Sequence, residues 1–158
     1  GVGDNMFEPD GNLTRAMFVT MLGRVHGDLD SYDKHAFADV EAGSWYEEYV
    51  SWASHNGIVE GYDAESFAPD DNITREQICT MIDRYMKYEG YNIEIDAADK
   101  FTDDALISDW AYDSVEAVKN LEIVIGYEDG SFRPQGLATR AEAATMFTRL
   151  IYALLANR

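Results

Sequence analysis

One pattern recurs three times along the chain, and it restricts the possible folds more than any other feature of the sequence. Its clearest copy is residues 126–149, GYEDGSFRPQGLATRAEAATMFTR, a loop rich in glycine, aspartate and proline that runs into an amphipathic helix. The same register returns in residues 61–84 and, less completely, in residues 1–24. Self-similarity of this kind is typical of stacked units that cannot bury their apolar faces alone. The chain is therefore predicted to be a repeat protein.

A threonine opens the helix of each copy. The Thr139 hydroxyl can accept a hydrogen bond from the first helical turn, and Glu142 can reach back to the Thr139 N–H, which together form a capping box. In the first copy Met17 stands in the place of Glu142, so no capping box is expected there. Behind the cap of the third copy, apolar residues recur at helical spacing and predict one buried face: Ala143, Met146, Phe147, Leu150, Ile151 and Leu154.

A second pattern precedes the last two copies. A Phe-x-Asp sequence, at residues 37–39 and 101–103, leads to a tryptophan, Trp45 or Trp110, where we expect another helix to begin. The first of these helices is predicted to end near Asn56. A complete repeat thus consists of Phe-x-Asp, a helix that carries a tryptophan, a loop, and a helix that opens with Thr-Arg.

Local signals predict both ends of the first tryptophan helix. Ser44 and Glu47 have the spacing of a capping box at its start. Gly57 is well placed for the left-handed position that follows many helices.

These patterns divide one domain, residues 1–158, into the second half of a first repeat (1–25), a second repeat (37–88) and a third repeat (101–156). Acidic connectors occupy residues 26–36 and 89–100. The chain begins in mid-repeat, so we expect it to be a piece of a longer protein. No segment alternates with a two-residue period, so the fold is predicted to be mainly α-helical. Short strand pairs are expected at most around Gly61-Tyr62 and Gly126-Tyr127.

The apolar stripe of the first helix lacks the tryptophan helix that would precede it in a complete repeat. We expect earlier sequence, the other two repeats or a second chain to cover this stripe, because exposed side chains of this size forfeit about 1.5–3 kcal/mol each. Its residues are Phe18, Met21, Leu22 and Val25.

Composition excludes several classes of function. The formal net charge of −18 over 158 residues argues against nucleic acid and anionic lipid surfaces as partners. No apolar run approaches the length of a membrane span. Cys79 is the only cysteine, so an internal disulfide and a cysteine-based metal site are excluded, and its place between Ile78 and Met81 predicts a small buried apolar residue.

The pattern resembles the S-layer homology repeat over nearly the whole chain. The sequences that carry the resemblance are Phe37-Ala38-Asp39-Val40 with Trp45, Gly61-Tyr62, Phe67-Ala68-Pro69, Ile73-Thr74-Arg75-Glu76, residues 126–134 and Thr139-Arg140-Ala141-Glu142. The resemblance implies a pseudo-threefold, three-lobed helical domain that anchors exported proteins to the bacterial cell wall without a covalent bond. It implies a location at the cell surface and a secondary cell-wall polysaccharide, often carrying ketal-linked pyruvate, as the ligand. It also implies that the Thr-Arg-Ala-Glu motif contacts this ligand in grooves between repeats.

Arg15, Arg75 and Arg140 each take the first helical position. A cation is mildly unfavourable at the positive end of the helix dipole, so its recurrence needs a reason. One reason is that a guanidinium beside free N–H groups can bind a carboxylate in a bidentate pair. The alternative is a structural salt bridge, with Asp39 or Asp103 as the partner that joins neighbouring repeats. Arg24, Arg84 and Arg149 lie about half a helical turn away and are interpreted as structural.

Other candidates also have two interpretations each. Trp45 and Trp110 can stack on a sugar ring or anchor the core. Gly61 and Gly126 can allow positive φ and close approach of a ligand, or simply form tight turns.

An enzymatic function is not predicted. The three histidines have no counterparts in other repeats, no loop has the spacing of a calcium site, and no metal or cofactor is assigned. The alternative to wall binding is a protein-binding or self-assembly module, with self-association through the incomplete first repeat.

Overall fold

The computed structural model describes residues 6–29, 37–93, 95 and 99–156. Residues 30–36 of the first predicted connector, which include His35, and residues 94 and 96–98 of the second lie outside the described residues, as does Gly1. The repeat boundaries remain a prediction. The predicted mainly helical fold is confirmed, with no named strand among the described residues. The elements are α1 (Arg15–His26), α2 (Glu47–His55), α3 (Arg75–Tyr88), a 3-10 turn (Asp104–Leu106), α4 (Tyr112–Asn120) and α5 (Arg140–Ala156).

The helices that open with Thr-Arg begin where the sequence predicts. Thr14 accepts a hydrogen bond from the Met17 N–H at 3.2 Å. Thr139 and Glu142 form the predicted capping box, with the Thr139 N–H donating to the Glu142 carboxylate at 2.9 Å. Thr74 and Gln77 form a second capping box in α3, which shows that an amide serves this purpose as well as a carboxylate.

The tryptophan helices begin two residues later than predicted, at Glu47 and Tyr112. The predicted capping box of Ser44 and Glu47 is wrong, because Glu47 is the first helical residue and not the third. Its carboxylate accepts from the Gly43 N–H at 2.6 Å, and the buried Ser44 hydroxyl finds no partner among the described residues. Gly57 does follow the helix in the left-handed region, at φ 67°, as predicted.

The chain divides into two compact units, Thr14–Asn72 and the combination of Gly1–Leu13 with Ile73–Arg158, called here the smaller and the larger unit. In the smaller unit α1 packs against α2, and Phe18 and Leu22 are fully buried, so this part of the stripe is covered as predicted. In the larger unit α3 packs against α4 and α5. Cys79 is fully buried there, and burial raises the pKa of its thiol to about 12, which confirms the predicted apolar role.

A closed ring of backbone hydrogen bonds lies in the larger unit, at the residues before the three Thr-Arg pairs. The Leu13 N–H donates to Ala138 O at 3.1 Å, Ala138 donates to Ile73 O at 3.0 Å, and Ile73 donates to Leu13 O at 2.9 Å. The three side chains are buried. Residues at the same register of each repeat therefore meet at one point.

The short strand pairs were predicted at the wrong places. Around Gly61-Tyr62 and Gly126-Tyr127 the tyrosine N–H instead closes its own loop, by donating to Ser66 O or Ser131 O at 2.8 Å. Isolated bridges join residues beside the helix starts, because the neighbouring loop backbone supplies acceptors there: Thr14 with Asn72 in the smaller unit, and Asn12 with Thr139 and Thr74 with Leu137 in the larger.

Candidate functional site

Arg75 is only 3% exposed, because the loop of the next repeat surrounds its side chain. We call this arginine-binding site in the loop the seat of Arg75. Its Nε–H donates to Phe132 O at 2.7 Å, and its Nη2 donates to Ile125 O at 3.3 Å. The guanidinium also lies over the Tyr127 ring, 4.7 Å from its centroid, a cation–π distance. Arg75 thus joins the start of α3 to a loop more than 50 residues away in the chain.

The other two motif arginines occupy equivalent seats. In the smaller unit, Arg15 donates from Nε to Phe67 O at 2.9 Å and from Nη2 to Glu60 O at 3.0 Å. Burial lowers the pKa of Arg15 from its ordinary value. In the larger unit, Arg140 donates from Nε to Phe7 O at 2.7 Å. The recurrence of arginine at this helix position is therefore explained first by loop carbonyl oxygens, which were not among the predicted partners.

Asp103 and Asp39, the predicted salt-bridge partners of these arginines, bind loop backbone. Asp103 accepts from the N–H groups of Phe132 and Arg133, both at 2.7 Å. Arg133 has a φ of 57°, a left-handed conformation that is strained for a residue with a side chain. Asp39 makes the same two bonds in the smaller unit, to Phe67 and to Ala68, which also has positive φ.

An open pocket is lined in part by Arg75. Arg75 comes from α3, and the rest of the lining comes from the third repeat: Ile125, Gly126, Tyr127, Glu142, Thr145, Met146 and Arg149. Arg149 was interpreted as structural because it lies on a different face of α5 from Arg140. Arg149 nonetheless lines the pocket together with Arg75, which the sequence analysis did not predict. The recurrence of Arg149 with Arg24 and Arg84 was a signal in the sequence. Only the packing of α3 against α5 shows that Arg149 and Arg75 line the same pocket.

Glu142 connects three parts of this pocket. One carboxylate oxygen lies 3.3 Å from Arg75 Nη1 and also accepts from the Tyr127 hydroxyl. The other oxygen accepts from the Thr139 N–H and so completes the cap of α5. Partial burial raises the pKa of Glu142, but the hydrogen bonds from Tyr127 and Thr139 and the charge of Arg75 outweigh it and keep the pKa below its ordinary value.

The charges of the pocket favour an anion. Two guanidinium groups, those of Arg75 and Arg149, line it together with one carboxylate, that of Glu142. The Arg149 side chain makes no hydrogen bond or ion pair with any residue that the structure describes. This local excess of positive charge contrasts with a net charge of −18 for the chain.

The two candidate tryptophans lie before α2 and α4 and are largely exposed, Trp45 by 54% and Trp110 by 57%. The interpretation of these residues as core anchors is therefore wrong. Neither lines the pocket of Arg75. Their role as sugar-stacking residues stays a prediction.

The two candidate glycines are needed for their small size rather than for positive φ. A Cβ at Gly61 would lie 2.6 Å from the Phe37 ring, and one at Gly126 would lie 3.2 Å from the Phe101 ring. The tight packing of both turns supports the structural alternative, although Gly126 also lines the pocket. Over the described parts of the chain, no cluster of His, Cys, Asp or Glu side chains is arranged to hold a metal ion. None of the helices described is long and apolar enough to cross a membrane.

The fold and the pocket define a helical repeat domain in which loop carbonyl oxygens bind the arginines of other repeats. One of these arginines, Arg75, also lines a pocket with an excess of positive charge. The family model of the S-layer homology domain matches residues 36–79 and 100–144, more than half of the chain. The chain therefore belongs to the S-layer homology domain family. This membership supports a cell-wall anchoring role at the bacterial cell surface and describes a module that is not itself catalytic.

The chain spans only a minor part of the length of the curated relatives that it matches. It is 39% identical over 156 residues to an amylopullulanase of Thermoanaerobacterium thermosulfurigenes, a match of 98% of this chain and 8% of the relative. It is 26% identical over 153 residues to a cellulosome-anchoring protein of Acetivibrio thermocellus, 94% of this chain and 34% of the relative. It is 27% identical over 154 residues to an S-layer protein of Bacillus thuringiensis subsp. finitimus, 94% of this chain and 18% of the relative. The enzymatic name of the first relative thus describes a protein most of which lies outside the match.

Proposed function

We propose that this domain anchors its protein to the cell wall by binding a carboxylate-bearing secondary cell-wall polysaccharide in the pocket beside Arg75. The observation that carries this proposal is the convergence of Arg75 and Arg149, from different repeats, on one open pocket of an otherwise strongly acidic chain. An anionic ligand is attracted to this pocket and repelled by the acidic surface elsewhere, so the pocket is the favoured place for it to bind.

The two arginines have different parts in this proposal. Arg75 uses its Nε–H and one Nη2–H on loop carbonyl oxygens, so it mainly shapes the pocket and supplies positive charge. Arg149 has its guanidinium available for a bidentate pair with a ligand carboxylate. A charge-assisted pair of this kind contributes about 1.5–3 kcal/mol, or roughly tenfold to a hundredfold in affinity.

The walls of the pocket fit a pyruvate ketal on a sugar. That group carries a carboxylate and a methyl group on one carbon atom. Ile125 and Met146 offer apolar contact beside the two guanidinium groups, and Gly126 also lines the pocket. Arg15 and Arg140, in equivalent seats, and the exposed Trp45 and Trp110 remain proposed contacts of the same polymer, together with the loops that contain Gly61, Asp39 and Asp103.

The test combines wall sedimentation with calorimetry. Purified cell walls are mixed with the protein before and after extraction of the secondary polysaccharide, and a pyruvylated disaccharide is titrated in parallel. We expect binding to walls and to the disaccharide, and loss of wall binding after extraction. Binding that survives extraction, with no heat from the disaccharide, would instead favour protein–protein or self-assembly contacts.

A further inference from the structure

We propose that Glu142 is a specificity-determining residue, whose carboxylate competes with small anions for the pocket and so restricts it to acids carried on a sugar. This inference rests on the proposed function, because it concerns the same pocket. The carboxylate lies 3.3 Å from Arg75 Nη1, and its side chain is 27% exposed on the pocket surface. It is therefore an anion already present in an anion site.

Capping of the helix does not explain the negative charge of Glu142. The cap needs only one acceptor oxygen for the Thr139 N–H. In α3 the same position of the repeat holds Gln77, whose amide oxygen accepts from the Thr74 N–H at 3.2 Å. The chain thus contains its own example of a neutral residue in this place, with the cap intact, so the charge at residue 142 is free to act on the pocket.

The charge of Glu142 has a different effect on different ligands. A small carboxylate that enters the pocket between Arg75 and Arg149 also approaches Glu142, which lies 3.3 Å from Arg75 Nη1. Repulsion between unit charges about 4 Å apart weakens binding about fivefold even in water. A sugar that carries the same acid can place a hydroxyl group against Glu142 and donate a hydrogen bond to it. The Glu142 carboxylate therefore lowers the affinity for free acids and raises the affinity for acidic sugars. This difference between the two affinities is the specificity of the pocket.

The Tyr127 hydroxyl keeps the Glu142 carboxylate at this position. It donates to the same oxygen that faces Arg75, and its ring lies under the Arg75 guanidinium. Burial and the Glu142 hydrogen bond raise the pKa of Tyr127, so the hydroxyl stays a donor at neutral pH. Tyr127 is thus a positioning residue for Glu142.

The experiment is a titration of wild type and Glu142→Gln with free pyruvate and with a pyruvylated disaccharide, followed by NMR signals of the arginine side chains. We expect Glu142→Gln to bind free pyruvate about fivefold more tightly, with a smaller gain or a loss for the disaccharide. Glu128→Gln is the matched control, because it removes the same charge from an exposed neighbour of the pocket. It should leave both affinities within about twofold of wild type.

Tyr127→Phe tests whether a gain in affinity comes from loss of the Glu142 charge or from a looser pocket. It removes the hydrogen bond to Glu142 and retains the Glu142 charge. Its affinity for free pyruvate should not rise. The inference is overturned if Glu142→Gln binds pyruvate no more tightly than wild type, or if Tyr127→Phe gains as much as Glu142→Gln. The proposed function fails by a different result, namely that neither wild type nor Glu142→Gln binds the pyruvylated disaccharide.

Discussion

The Nε–H of Arg75 donates to the carbonyl oxygen of Phe132 at 2.7 Å, across 57 residues of sequence. The same bond joins Arg15 to Phe67 in the smaller unit and Arg140 to Phe7 in the larger. The arginine that the repeat pattern suggests as a ligand contact is therefore also a structural link between a helix start and a loop. Stability and binding must be measured separately for each of these residues.

Arg75→Ala should lower the free energy of unfolding by about 2–4 kcal/mol, because it removes hydrogen bonds to two loop carbonyl oxygens, one of them buried, and a cation–π contact. Arg75→Lys should recover only a small part, since an ammonium group lacks the planar fork that reaches both acceptors. Chemical denaturation measures the change. Arg133→Ala, which loses an exposed ion pair with Asp129 and a cation–π contact with Tyr127 but no bond to a loop carbonyl oxygen, is the control and should cost less than about 1 kcal/mol. Equal effects of the two changes would contradict this account of the seat.

Arg149→Ala should weaken binding of a pyruvylated fragment about tenfold while leaving the free energy of unfolding within about 0.5 kcal/mol of wild type. The reason is that the Arg149 side chain lines the pocket but makes no ion pair or hydrogen bond with the described residues. Calorimetric titration and denaturation on the same preparations measure both quantities. A large loss of stability with normal affinity would restore the structural interpretation of Arg149.

These two arginines show what the sequence can and cannot predict. The repeat register predicts the starts of the Thr-Arg helices, the Thr139 cap and the position of Arg75 at the first turn, because these depend on local hydrogen bonds and helical spacing. It does not predict that Arg75 contacts Phe132 or that Arg75 and Arg149 line the same pocket, since that depends on which loop and which helix pack together across the chain. The error at Ser44 is local, because a turn in which the Glu47 N–H donates to Ser44 O precedes α2 and the helix begins two residues later than predicted.

Asp103→Ala should lower the free energy of unfolding by about 2–3 kcal/mol, since the partly buried N–H of Phe132 and the exposed N–H of Arg133 lose a charged acceptor. The loss is increased by the positive φ of Arg133, which the carboxylate holds in place. Replacing Arg133 with Gly in this background should recover about 0.5–1 kcal/mol, because glycine adopts this conformation without strain. Thermal and chemical denaturation of the single and double variants measure the recovery. No recovery would mean that backbone strain is not what Asp103 offsets.

Trp110→Ala should leave the free energy of unfolding nearly unchanged, because the side chain is 57% exposed and precedes α4. If the indole stacks on a sugar ring of the polymer, wall binding should fall by about fivefold to tenfold. Trp52→Ala is the contrasting variant, since Trp52 is fully buried and its truncation should cost about 3–5 kcal/mol. Unchanged wall binding by Trp110→Ala would remove this tryptophan from the proposed contacts.

Acid should destabilise the domain through carboxylates whose pKa is lower in the folded chain. At Asp129, hydrogen bonds from the Ser131 hydroxyl and N–H, and from Arg133, lower the pKa from its ordinary value of 3.8 to about 2. At Asp39, partial burial raises the pKa, but N–H groups of Phe67 and Ala68 outweigh it and the pKa is lowered. A carboxyl of this kind stabilises the fold fully above its unfolded pKa, and the contribution is lost as the pH falls through the folded value.

The free energy of unfolding should therefore be flat from about pH 7 to pH 5 with respect to these groups and fall between about pH 4 and pH 2. Asp129→Asn removes the proton uptake of one group, so its unfolding curve should have a shallower slope against pH in this acid range and the same slope above it. Denaturation at intervals of half a pH unit, with Glu128→Gln as the matched control, measures the two slopes. An acid slope of Asp129→Asn equal to that of wild type would show that the hydrogen bonds to Ser131 and Arg133 do not stabilise the charged carboxylate in solution.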